Sequence, residues 1–148
     1  MNKKTLKTTL YSLIVVFILI IVEMSLIGME TGIWRTFFIY AMFTLWILFF
    51  LLGIMLIILT FKSKIKGKLK LYLFLTGFSS IGFPVGTVAH NLFYGIGIAL
   101  EHIIIIKYLM EVLHVAFFMI SIFVCPIVFL IGIIGSIILF RKLEKENE

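Results

Sequence analysis

Aspartate is missing from this chain altogether, and cysteine and proline nearly so, with one and two residues. A catalytic triad built on aspartate is therefore excluded. The single cysteine, Cys125, has no partner for an intrachain disulfide and reads as a small apolar packing residue. The chain also lacks a Walker motif, a His-Glu-x-x-His zinc motif, a Cys-x-x-Cys pair and a Gly-x-Ser-x-Gly elbow. Charge is scarce. Asp, Glu, Lys and Arg make up 14% of the residues, against about 25% in a soluble domain.

What fills the space is hydrocarbon. The 148 residues are 63% hydrophobic, and their mean hydropathy is +1.26. A chain this short buries only about two-thirds of the surface its unfolded form exposes, so lipid must be the solvent for most of these side chains. Four apolar runs reach the ~20 residues that cross a bilayer: Thr8 to Ile27, Phe37 to Phe61, Leu71 to Phe93, and a fourth that ends at Phe140 and starts near Val115. Backbone polar groups in lipid must be satisfied within each span, so the runs are helices. The fold expected is a single all-α domain, an integral membrane protein built as a four-transmembrane-helix bundle. Lys3, Lys4 and Lys7 before the first run resemble a signal peptide. Glu23 and the lack of a small-residue cleavage site argue instead for a retained helix. Residues 99–114 are too polar for the bilayer centre and too apolar for a free loop. They suit a helix along the outer interface or an extension of the fourth span beyond the bilayer.

Eleven of the thirteen basic residues fall at the N-terminus, in the turn "KSKIKGKLK" between spans two and three, and at the C-terminus. The other ends of the spans hold Arg35 and Lys107 alone. Positive residues stay in the cytoplasm, which places both termini there, and four crossings agree. The lysine-rich turn fixes orientation and also suits anionic lipid. With no folded module to present these charges, nucleic acid is not expected as a partner.

Within the spans, Ser79, Gly82 and Gly86 fall on one helix face, with Gly132 and Ser136 as a matching pair in the fourth span. Such stripes let helices approach closely. Pro84 and Pro126 lie at similar depth, near mid-bilayer, where each is expected to bend or break its helix. Polar groups gather at one level near the outer ends: Glu23, His90, Asn91, Glu111 and His114. Glu111 and His114 have the Glu-x-x-His spacing, which helical di-iron sites use twice and this chain uses once. His90 with His114 has the makings of a haem ligand pair, and the two histidines with Glu23 and Glu111 nominally supply four zinc donors. Lys107 and Glu111 are spaced for a surface ion pair.

Three functions follow as expectations. The first is a structural or accessory component of the cell membrane that packs with itself or with a larger complex. The second is a protein that binds or transports a metal, haem, a proton or a small solute through the outer polar cluster. The third, an enzyme on a lipid substrate with His114 as general base and Glu111 orienting it, has the least support, because no further catalytic group is in sight.

Overall fold

The computed structural model describes residues 3–27 and 32–145. All regular structure among them is helical: α1 (Lys3–Ile27), α2 (Ile33–Lys62), α3 (Gly67–Ala99), α4 (Ile104–Met119) and α5 (Cys125–Lys145). A π-helical segment, Ile120–Val124, joins α4 to α5 without a break. Four helical stretches are long and apolar enough to cross a membrane, and the fourth is the whole of Ile104–Lys145.

The helix ends extend past the sequence expectation. At ~1.5 Å per residue, the 33 residues of α3 reach about 50 Å, and the 42 residues from Ile104 to Lys145 reach about 63 Å, against a hydrocarbon thickness of about 30 Å. Residues 104–114 are thus the start of the fourth long helix, not a separate surface helix. Glycine and proline are absent between Ile104 and Met119, so no residue there interrupts the α-helical hydrogen-bond ladder.

Pro84 leaves α3 unbroken. Pro126 is accommodated by the π-helical segment just before it. Its ring clashes with the carbonyl four residues back and offers that carbonyl no donor. The Cys125 N–H bonds to the Ile120 carbonyl instead, a wider i to i−5 step of the kind that relieves such conflicts.

The basic turn puts one end of all four helices together. Ser63 closes α2 by donating its N–H to the Leu59 carbonyl at 2.9 Å. Gly67 then takes a φ of +69° to start α3, a left-handed value natural to glycine. At the same end Lys7 of α1 forms an ion pair with Glu144 of α5 and lies over the Phe140 ring.

The core occupies the half of the bundle nearest this basic end. Leu6, Leu10 and Leu13 of α1 meet Leu56 of α2, Leu73 of α3 and Ile133 of α5 there. Midway along, four phenylalanines bring all four long helical stretches to one level. Phe17 packs on Phe129 with ring centroids 4.6 Å apart, Phe49 on Phe129 at 5.0 Å, and Phe83 on Phe49 at 6.5 Å. Beyond this layer the packing thins. No residue of α2 from 34 to 48 is buried, nor is any residue of α4. The bundle is closed at its basic end and splayed at its distal end.

The small residues make the closed half tight. A Cβ at Gly132 would come 2.8 Å from the Thr76 nitrogen, and one at Gly82 would come 2.9 Å from Cys125 Sγ. A Cβ at Gly86 would meet Ser121 Cβ at 3.0 Å. Ser79 and Ser136 are buried as well. The glycine seam therefore joins α3 to the fourth long helical stretch of the same chain and is not left free on the surface.

Candidate functional site

The face of α3 that carries Gly82 and Gly86 continues one turn further to His90. There it meets His114 of α4. His90 donates its Nδ1–H to the His114 main-chain carbonyl at 2.9 Å, because a carbonyl only accepts. In the neutral ring this leaves Nε2 of His90 as the acceptor. The two imidazole rings lie 5.1 Å apart, tilted by 37°. Phe118 packs against His90 and Tyr94 against His114, and Phe93 stacks on Phe117 at 5.3 Å. Aromatic contacts thus hold the distal ends of α3 and α4 together where aliphatic burial has ended.

Beside this contact, between the last turns of α3 and the first turns of α4, lies a cavity of about 270 Å³. Phe93, Tyr94, Gly97 and Ile98 line it from α3 and Lys107, Met110, Glu111 and His114 from α4, with Glu101 at the turn. Glu101, Lys107 and Glu111 are all exposed. No ion pair joins Lys107 to Glu111, contrary to the sequence expectation. Both long side chains are exposed there, where a pair of this kind would contribute only ~0.3–0.5 kcal/mol.

The five polar residues expected at one level fall in three places. His90 and His114 touch, and Glu111 shares the cavity with His114. Asn91 turns away. Its amide donates to the Thr87 carbonyl at 2.8 Å, and its side chain lines a groove between α2 and α3 with Trp46, Ile47, Pro84 and Val88. That groove measures about 680 Å³ and is almost wholly apolar. Glu23 stands apart again, on the core face of α1. It is 7% exposed, and its Oε2 has no hydrogen-bond partner among the described residues.

Among the described residues, no three His, Cys, Asp or Glu side chains come together as a set that could hold a metal ion. Two histidines do not complete a four-coordinate zinc site, and the one Glu-x-x-His pair lacks the second pair and the further carboxylates of a di-iron centre. The cavity adds Tyr94, Glu101 and Lys107 to the residues expected from the sequence. Their signal was present: Lys107, Glu111 and His114 follow at steps of four and three, which is one helix face. Compared with known proteins, the chain matches no family model, no curated protein and no solved structure.

Proposed function

We propose that this chain is a multi-pass protein of the cell membrane with both termini in the cytoplasm, and that it serves as an accessory component packing against a larger membrane assembly. The distribution of basic residues supports the orientation. Eleven of thirteen sit at the end where α1 begins, α5 ends and α2 turns into α3, the pattern of a cytoplasmic face.

The observation that carries the accessory reading is the uncovered apolar surface at the distal end. Trp34, Phe37 and Tyr40 stand out from α2, and Ile105, Tyr108 and Val112 stand out from α4, with Ile105 81% exposed. The α3–α4 hairpin is longer than the hydrocarbon layer needs, so part of this surface lies outside lipid, where exposed apolar patches mark interaction sites. The glycine seam is already used inside the bundle and does not supply this contact.

The test places a photo-crosslinking amino acid at position 105 or 112 in the native membrane. The accessory reading expects one discrete adduct, and it expects Tyr108→Glu to abolish that adduct while the protein still accumulates. Adducts with lipid only would end the reading. A dimer adduct would identify the partner as a second copy.

A second reading, the handling of a small ligand, is supported by the 270 Å³ cavity with its unpaired Glu101, Lys107 and Glu111 around an aromatic wall. A small zwitterion or amine fits that lining better than a metal does.

A further inference from the structure

We propose that the cavity between α3 and α4 binds a small monovalent organic ammonium ion that carries an apolar group. The proposal rests on the ligand-handling reading of that cavity and narrows its ligand from any small amine or zwitterion to a cation. It does not involve the accessory reading.

Charge sets the sign of the ligand. Three ionic side chains line the cavity: Glu101 from the turn, and Lys107 and Glu111 from α4. Among the described residues, none of the three makes a side-chain hydrogen bond or an ion pair within the protein. With His114 neutral, two carboxylates against one ammonium leave the lining with one negative charge in excess. A bound monocation neutralises that excess. A zwitterion would leave it in place, and an anion would double it. Both carboxylates are exposed and stay hydrated, so charge alone holds a cation weakly.

The aromatic wall supplies the second contact. Phe93 and Tyr94 of α3 line the same cavity. Phe117 and His114 hold them in place, with ring centroids at 5.3 and 5.5 Å. An ammonium within about 6 Å of a ring centre is attracted to its face. The protein uses this contact at its basic end, where Lys7 lies over Phe140 and Lys70 over Phe61 and Phe74. Among the described residues Lys107 lies over no ring, so the wall of the cavity has no cation of its own.

Size makes the cation organic. The 270 Å³ of the cavity falls just under the ~300–1,000 Å³ of pockets for drug-sized ligands, and far exceeds the room a bare ion needs. No metal-holding set of side chains converges there among the described residues. Ile98 and Met110 add apolar lining. Gly97 keeps the two helices close, since a Cβ on it would come 3.2 Å from the Met110 Cβ. The lining thus offers carboxylates to an ammonium and rings and hydrocarbon to the group attached to it.

The test uses three probes that share a phenyl ring and differ in charge: phenethylammonium, the neutral phenethyl alcohol and the zwitterion phenylalanine. The full chain is kept at neutral pH in a maltoside detergent, whose headgroup carries no ammonium. Saturable binding is measured by equilibrium dialysis against protein-free micelles. Phenethylammonium should bind about tenfold more tightly than either of the others. Glu101→Gln/Glu111→Gln should remove that preference and leave the binding of the alcohol unchanged. Lys107→Gln, which takes away a competing ammonium, should tighten phenethylammonium binding. Equal binding of the alcohol or of phenylalanine by the unaltered chain, or weaker ammonium binding in Lys107→Gln, would overturn the cation and leave the ligand-handling reading standing. Saturable binding of none of the three would overturn both.

Discussion

The Nδ1–H of His90 on α3 is bonded to the main-chain carbonyl of His114 on α4, 2.9 Å away and 24 residues on. Among the described residues, it is a polar contact between helices in a half of the bundle where no residue of α4 is buried. Removing it should therefore loosen the hairpin and spare the core. His90→Ala is expected to cost about 1 kcal/mol, the net worth of a typical hydrogen bond. Amide exchange over Ile104–Met119 should quicken by several-fold while α1 and α5 keep their protection. Uniform loss of protection along the whole chain would contradict a bundle closed at one end only.

The close approach of α3 and α5 predicts opposite outcomes at two glycines. Gly132→Ala places a Cβ 2.8 Å from the Thr76 nitrogen, where backbone must move. It should lower stability by about 1–3 kcal/mol, the usual range for an overpacked core. Gly95→Ala meets nothing within 4 Å, and should be neutral or stabilising by up to ~1 kcal/mol through helix propensity. Thermal unfolding of the two variants in detergent compares them directly.

Gly86 of α3 and Ser121 of the π-helical segment face each other across the seam. A Cβ on Gly86 would lie 3.0 Å from Ser121 Cβ, shorter than the ~3.5–4.5 Å of natural disulfides, so the two helices must part by roughly 0.5–1 Å to take the bond. The double variant Gly86→Cys/Ser121→Cys, made with Cys125→Ala, should crosslink under mild oxidant and migrate as a compact monomer. A crosslinked dimer in place of the internal bond would mean that this seam lies between chains.

Thiol labelling checks the orientation. Ser63→Cys, in the basic turn, should react with a membrane-impermeant maleimide only after the membrane is opened from the cytoplasmic side. Thr36→Cys, at the start of α2, should react in intact cells. Replacing most of the five lysines between Lys62 and Lys70 should give a mixed population, because the positive residues set the direction of insertion.

Metal content separates the ligand readings. Protein purified without chelator should carry iron, zinc or copper well below one per chain, because His90 and His114 bring no third or fourth donor with them. Stoichiometric metal that His114→Ala abolishes would restore a metal site at the α3–α4 contact.

The four long helices, their single-ended basic charge and the exclusion of aspartate or motif-based catalysis are all determined by the sequence by itself. They follow from composition along one dimension: an apolar run of sufficient length must be helical in lipid, and lysine must lie outside it. Helix rotation is a different quantity. Successive residues point about 100° apart, so His90 and Asn91, equal in depth and adjacent in sequence, look toward α4 and toward α2 respectively. Depth alone made five polar residues look like one cluster, and azimuth divided them among three places. The same holds for the glycines. Their spacing marked a face for close approach, and only the packing decided that the fourth long helical stretch of the same chain, through Ser121 and Cys125, occupies it, because a Cβ-free face accepts any helix and its spacing does not choose one.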